Sequence, residues 1–489
     1  MRCSGRQFLS RLRSGNGILG NRLAVNYGFV HQTIAVRIDI SGSCKIDWAS
    51  CTRTMSCHGA DRSLCFGGVE VNVAERPGVG ASKRIRFAEQ FYYPDGWGGA
   101  ELPRDVTIQM ARLGYQLEVV CGSDQYAPDD GNRGPDPAES GVRILRIPRL
   151  LKGDIHSRKL LRQMWFYTGL VPLLFLRRPP DLFVSQTNPP LVVPLVALAA
   201  WFWRKPFLLI AMDLYPDVLV AHGSVAANSL TSRLLNAVFS LAYAAATRVV
   251  ALGPVMLERI RAKGVPLRHI VEISNWSTGP SDVVRGADNS LRQKWGLADH
   301  CVIVYSGNLG IGHEFETLLA GFAKAVAQRP GLRLVIIGKG SRLAETREIV
   351  ERLGLQPTVR FEDMVPAAQL PHSMGLADLA LVTLRPGFEG LIVPSKLLGY
   401  MARGIPVMYV GPRSDVDVML GRYGCGVCIK NGDVEAVCRA LVEVTDDSAR
   451  FEVMGRAGQT AYAQQLAREH GLARYAAVVS ECLAEVHQK

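Results

Sequence analysis

Ser395 and Lys396 stand side by side in FEGLIVPSKLLGYMARGIPV, residues 388–407. A hydroxyl and an ammonium at one point could hold a phosphate or diphosphate, provided backbone N–H groups join them. The flanking sequence supplies that setting. The apolar run LALVTL (379–384) reads as a buried parallel strand, and a loop with Gly387 and Gly390 follows it. Pro394 and Ser395 then suit the opening of a helix, with Ser395 as its N-cap. Gly404 closes the helix and Pro406 leads into the next strand. The first turn of such a helix presents free N–H groups and the positive end of its dipole.

Other residues of the same chemistry sit at other strand ends. HCVIVYSGNLG (300–310) is a strand followed by a turn with Gly307 and Asn308, and LRLVIIGKG (332–340) ends on Lys339. If the strands are parallel, these turns and the Ser395–Lys396 pair face one crevice. Pro394, Ser395 and Lys396 join Gly307, Asn308 and Lys339 as the anion-binding set. The turn after YSGNLG also carries His313 and Glu314, to which the sequence assigns no role. Upstream, Asp213 ends the strand FLLIAMD; it is a candidate acid, although an Asp there equally suits a helix N-cap. Asn188 and Asp217 lie in the strand-end segments TNPP and LYPD, and Gly98 and Gly99 close the loop FYYPDGWGG.

The elements that must position these residues alternate. From Lys83 onward, short apolar strands alternate with amphipathic helices, the pattern of doubly wound parallel sheets. The series pauses at NWSTGPSDVVRGADNS (275–290), aperiodic and rich in Gly, Ser and Asp, and then restarts. The expected organisation is an extension over 1–80, a Rossmann-like domain over 83–280, a linker at 281–295, a second Rossmann-like domain over 296–455, and helices over 456–489. The extension is aperiodic and holds five of the eleven Cys. It reads as disordered, or as upstream sequence from a mis-assigned start; a small Cys-rich module is the alternative.

Composition narrows the function. With 489 residues, 48% hydrophobic and 20% charged, the chain has material for two or three domains. The net charge of +12 suits an anionic partner. No nucleic-acid-binding signature accompanies it, so a phosphorylated ligand or an anionic membrane face is the better fit. CGVC (425–428) lacks the second pair a zinc site needs, and GxGxxG is absent, which disfavours NAD. PLVVPLVALAAWFW (190–203) is shorter than a bilayer span. It and the apolar helix expected at 160–175 are flanked by Arg177, Arg178, Arg204 and Lys205. They read either as core or as a surface for an anionic cytoplasmic leaflet.

From about residue 83 to the end the chain resembles the GT-B-fold, retaining glycosyltransferases of family 4, closest to the bacterial exopolysaccharide branch with colanic-acid-type enzymes. The matching motifs are FYYPDGWGGAE, MDLYPD, the NW of ISNW, YSGNLG, IIGKG and VPSKLLGYMARGIPV. The resemblance implies two Rossmann-like domains facing across a cleft. It also implies a nucleotide-diphosphate sugar donor held mainly by the C-terminal domain, an acceptor on the N-terminal side, no cofactor and no required metal. Lys396 would stabilise the leaving diphosphate, Asp213 would act near the reacting sugar or acceptor hydroxyl, and Gly98 and Gly99 would let the backbone approach the donor. Asn188 and Asp217 would lie on the acceptor side. Many members carry two glutamates eight residues apart where this chain has Leu391 and Gly399; Glu389 is the nearest substitute. The rival expectations are a GT-B-fold nucleotide-sugar epimerase or phosphorylase, or a non-catalytic sugar-nucleotide binder. The reading adds a lipid-linked saccharide acceptor and a cytoplasmic protein that can sit peripherally on the membrane.

Overall fold

The computed structural model describes residues 82–485 apart from 95–97, 124–135, 149–158, 278, 280 and 367–368. Before residue 82 it describes only the backbone of five short strands: β1 (Arg22–Asn26), β2 (Thr33–Ile38), β3 (Cys44–Ile46), β4 (Ser63–Phe66) and β5 (Val69–Asn72). The first three form an antiparallel sheet and the last two a hairpin. The expectation for the rest of 1–80 lies outside the described residues.

Residues 81–489 form a separate unit with two parallel sheets. The first holds β6 (Arg84–Ala88), β7 (Gln116–Gly122), β8 (Arg143–Ile147), β9 (Leu182–Gln186), β10 (Phe207–Ile210), β11 (Arg248–Ala251) and β12 (Ile270–Glu272). Its order is β12-β11-β10-β9-β6-β7-β8. The second holds β13 (Cys301–Ser306), β14 (Leu332–Ile337), β15 (Val359–Glu362), β16 (Leu379–Thr383), β17 (Val407–Val410) and β18 (Gly426–Ile429), in the order β15-β14-β13-β16-β17-β18. Central strands such as β9, β10, β16 and β17 are buried along their whole length. That explains why they read as unbroken apolar runs: helices cover both faces.

The first lobe carries α1 (Gly98–Arg112), α2 (Lys159–Phe175), α3 (Val192–Trp203), α4 (Asp217–Ala221), α5 (Leu230–Ala245) and α6 (Pro254–Ala262). The second carries α7 (Ser290–Lys294), α8 (Glu316–Gln328), α9 (Leu343–Arg352), α10 (Leu370–Gly375), α11 (Lys396–Ala402), α12 (Asp415–Tyr423), α13 (Val434–Asp446) and α14 (Ser448–Ala461). The last helix, α15 (Arg468–Ala484), crosses back. Leu472, Tyr475, Val478, Val479 and Cys482 join the first lobe's core with Ile85, Phe87 and Trp276. Arg468 and the indole of Trp276 share the Asp105 carboxylate, at 3.6 and 3.1 Å. The carboxy-terminal tail therefore belongs structurally to the amino-terminal lobe.

Both sheets reverse direction of growth next to their first strand, between β6 and β9 and between β13 and β16. Loops leaving the carboxyl ends on the two sides of such a point splay apart and leave a crevice. The reversal in the second sheet sets the turn after β13 beside the loop after β16, which are the Gly307–Asn308 turn and the segment leading to Lys396.

Candidate functional site

The carboxy-terminal wall is built around a glycine turn. Gly307 follows β13 with φ +130°, and a Cβ there would lie 2.5 Å from Lys396 Cε. A side chain would meet both backbone strain and a clash. Gly338 (φ +145°) lets the β14 turn nest against it, since a Cβ there would sit 2.0 Å from the Gly307 carbonyl oxygen. Helix α11 docks on this turn by burying Leu397, Leu398, Tyr400 and Met401. The Tyr400 hydroxyl accepts from Ser306 N at 3.0 Å, fixing the helix against the end of β13.

That docking aims Lys396 back over the turn. Its Nζ donates to the Tyr305 hydroxyl (2.9 Å), the Asn308 carbonyl (3.2 Å) and His313 Nε2 (3.1 Å), and lies 4.7 Å from the Tyr305 ring centre. The chemistry fixes the histidine tautomer. Nδ1 is 2.8 Å from the Thr383 carbonyl oxygen, which can only accept, so Nδ1 carries the proton and Nε2 offers a lone pair to the ammonium. Burial, and then the neighbouring Lys396 charge, push the His313 imidazole down to about 3. It is a neutral acceptor at any working pH. Burial lowers Lys396 to about 7, from an ordinary value of 10.5. An anion brought to this ammonium would raise it again. The wall thus holds a lysine whose charge a nearby anion would stabilise.

The other members of the anion set are less committed. Asn308 and Lys339 are exposed. Lys339 makes no salt bridge among the described residues, and its carbonyl accepts from Leu309 N at 2.9 Å. Ser395 departs from its expected role: its backbone is helical and its side chain caps nothing. The exposed hydroxyl is left to the crevice. Pro394 and Ser395 line a narrow space with Leu252, Ser274 and Asn275 of the first lobe, which sets the Ser395–Lys396 pair where the lobes meet.

The amino-terminal wall is anchored through its backbone. Thr187, just past β9, has its Oγ1 3.0 Å from Met212 N and 2.9 Å from Asp213 N, so one hydroxyl holds the strand end that carries Asp213. Asp213 pairs in a β-bridge with Ile392 of the second lobe, and Leu214 N donates to the Leu391 carbonyl at 2.9 Å. The Asp213 carboxyl has no hydrogen-bond partner among the described residues, and burial alone raises it to about 6. A carboxyl at that value exchanges protons readily near neutrality. Asn188 follows Thr187 and is half-buried.

Three sequence expectations shift. Gly98 and Gly99 stand inside the first turn of α1 rather than in the loop before it. Apolar periodicity marks where a helix packs, not where it begins. Asp217 is held by the Lys263 ammonium in an ion pair, which makes it a fastening for α4 rather than a free acceptor-side group. Both oxygens of Glu389 accept from Gly387 N at 3.1 Å, and Arg259 of α6 lies 3.7 Å away. Glu389 therefore closes its own loop and ties it to the first lobe. Leu391, at the first missing glutamate, is buried in the first lobe's apolar core. Gly399, at the second, gives its carbonyl to Arg403 at 2.9 Å.

Sequence reasoning missed His313, Tyr305, Thr187 and Asp415. Asp415 opens α12, and its Oδ1 accepts from Val255 N (2.7 Å) and Met256 N (3.4 Å) at the start of α6. A carboxylate of one lobe thus caps a helix of the other. The histidine in GNLGIGH was the only available signal for the lysine's partner.

Away from the crevice, α2, α3 and α5 are apolar on two sides. Inward they bury residues such as Leu170, Val196 and Phe239. Outward they expose Met164, Leu198, Trp201, Phe202, Leu234 and Leu241. Each of α2 and α3 thus has one face in the core and one exposed to solvent. No helix among the described residues is long and apolar enough to cross a membrane.

Two family models match adjacent stretches. "Glycosyl transferase 4-like domain" covers residues 98–276 and "Glycosyl transferases group 1" covers 288–463. A Pseudomonas aeruginosa protein described as "Probable glycosyltransferase WbjE" is 26% identical over 76% of this chain and 95% of its own length. The GDP-mannose-dependent alpha-(1-6)-phosphatidylinositol monomannoside mannosyltransferase of Mycolicibacterium smegmatis is 26% identical over 35% of this chain and 45% of its own. Among solved structures, Anabaena HepE in complex with UDP and glucose superimposes with TM-score 0.61 at 17% identity, covering 82% of this chain and all of that one. Sucrose-phosphate synthase from Thermosynechococcus elongatus gives 0.61 at 16% identity, over 82% of this chain and all of its own. The two-lobed architecture of this chain is that of the GT-B fold.

Proposed function

We propose, from the premise that this chain is a glycosyltransferase of GT-B architecture with a 4-like and a group 1 domain, that it moves a sugar from a nucleotide-diphosphate donor to a lipid-linked saccharide with retention. The observation that carries this reading is the Lys396 ammonium. It is half-buried, lowered in pKa, and held over the Gly307–Asn308 turn at the reversal point of the second sheet. As the sugar–phosphate bond breaks, negative charge grows on the leaving diphosphate. Lys396, the free Lys339, the Ser395 hydroxyl and backbone N–H groups of the turns stabilise it without a metal. Asp213, bridged to Ile392 from the other lobe, handles the acceptor hydroxyl's proton. No protein nucleophile is assigned.

A lipid-linked acceptor is favoured by the apolar outer faces of α2, α3 and α5 beside Arg204 and Lys205. Such a surface suits the face of an anionic membrane. Exopolysaccharide or cell-surface polysaccharide synthesis is the process such an acceptor serves. The relatives' own substrates support a nucleotide-sugar donor and leave its base and sugar to be measured.

The test is incubation of the full chain with UDP- and GDP-linked sugars, with and without a polyprenyl-linked acceptor and a chelator. The expected result is calorimetric binding of one donor and chelator-insensitive transfer with unchanged anomeric configuration. Epimerised sugar, free sugar phosphate, or binding without turnover would overturn the assignment.

A further inference from the structure

The opposite edge of the first lobe holds a second basic feature that the donor reading does not use. Strands β6, β7 and β8 are parallel, and their amino ends lie roughly 15–20 Å from the crevice at ~3.3 Å per residue. Between those ends is a cavity of about 400 Å³ lined by Arg84, Arg86, Glu118, Arg143, Arg177 and Arg178 among others. Five guanidiniums face one carboxylate there, a local charge of +4.

The bracing separates this cavity from an ordinary solvated basic face. Glu118 is used twice, by Arg86 Nε at 2.7 Å and Arg177 Nη2 at 3.0 Å. Arg86 is buried, and its other two nitrogens donate to the Leu173 and Arg178 carbonyls at 2.8 and 3.0 Å. Arg84 Nη2 donates to the Pro179 carbonyl at 2.8 Å. The nearby Asp181 accepts from Arg84 N at 2.9 Å and faces Lys205 at 3.6 Å. Arg143 and Arg178 are exposed and have no acceptor among the described residues. Three arginines therefore hold the walls and two remain free. Burial, with Arg177 and Arg84 adding like charge, lowers the Arg86 pKa despite its glutamate. A bound anion would relieve that repulsion.

We propose that this pocket is a second anion site, separate from the donor crevice, which takes a phosphate group between Arg143 and Arg178. Guanidinium forks suit tetrahedral oxyanions better than ammonium groups do. The phosphate can arrive on a lipid headgroup or free in solution. The rim favours the former. Leu176, next to Arg177, is 83% exposed, and Phe202 of α3 packs edge-on against Phe175 at 5.7 Å.

The test uses the full chain, its Arg143→Gln/Arg178→Gln form, and an Arg352→Gln/Arg439→Gln control that removes equal charge from exposed positions of the other lobe. Inorganic phosphate is titrated by calorimetry, and flotation is measured with pure phosphatidylcholine vesicles and with equimolar phosphatidylcholine and phosphatidylglycerol. The pocket variant is expected to lose about tenfold or more in affinity for at least one probe, for two charge-assisted contacts removed. The control keeps its affinity, and donor turnover with a water-soluble acceptor stays within about twofold. Loss confined to phosphatidylglycerol vesicles assigns the site to a headgroup; loss that includes inorganic phosphate assigns it to the free ion. Equal binding by wild type and pocket variant, or an equal loss in the control, would overturn the proposal. So would phosphate binding that disappears in Lys396→Met but persists in the pocket variant. Because turnover is read separately, failure here leaves the donor reading standing, and the reverse.

Discussion

On the carboxy-terminal wall one ammonium is gripped by a phenol, a carbonyl and an imidazole, and its stem packs against the Gly307 turn. On the amino-terminal wall the backbone of Asp213 is pinned by Thr187 and Ile392 while its carboxyl stays open. The two walls share a strand order but divide the labour. In the proposed reaction the diphosphate is the same in every donor, so a cradle organised in advance would serve it well. The acceptor hydroxyl of that reaction would vary in position, and a carboxyl with no hydrogen-bond partner among the described residues is not committed to one geometry.

The sharpest way to break this contrast is Lys396→Met. Turnover is expected to fall by about 10²–10³ with the fold intact by circular dichroism, because the leaving charge loses its main partner. A fall below about threefold would remove the cradle from the chemistry. Asp213→Asn is expected to cost about 10–10² in kcat and to abolish the acidic limb of the pH profile. That limb should lie near 6, where the raised carboxyl ionises, and the alkaline limb of the free enzyme near 7, where Lys396 loses its proton. An acidic limb unchanged in the Asn variant would clear Asp213 of a proton-transfer role.

The same groups act on stability with opposite signs. The Lys396 pKa is depressed on folding, so between about 7 and 10.5 the unfolded chain binds more protons and stability rises with pH. Asp213 is raised, so its contribution falls as pH climbs from about 3.8 to about 6. Lys396→Met should flatten the upper slope in denaturant titrations at successive pH values.

Gly307→Ala is expected to raise donor KM about tenfold and to cost about 1–3 kcal/mol, since the added methyl meets both a positive φ and the lysine stem. A variant with wild-type KM would mean that the lysine is not held by the turn. The smallest effect is expected for Asp415→Ala. Loss of the interlobe cap should cost about 0.5–2 kcal/mol and lower the melting temperature, with an expanded envelope in solution scattering. An unchanged envelope would show that Leu391 and the Asp213–Ile392 bridge hold the lobes without it.

Much of this protein was legible before any coordinates. The twice-repeated βα alternation, the glycine turns after buried strands, Lys396 in the PSK triplet and Asp213 at a strand end all follow from local rules. Strand and helix periods, and the backbone freedom of glycine, act over a few residues and leave their mark in the letters. What those side chains touch did not. His313 meets Lys396 across 83 residues, Asp415 caps α6 across 160, and Trp276 reaches Asp105 across 171. Ser395 had the composition of a cap and is not one, and Leu391 fills the core of the opposite lobe rather than lining the crevice. Such pairings are fixed by how two sheets and their loops pack in three dimensions. Periodicity carries no record of them, so the tuning of the lysine and the fastening of the lobes belong to the tertiary structure alone.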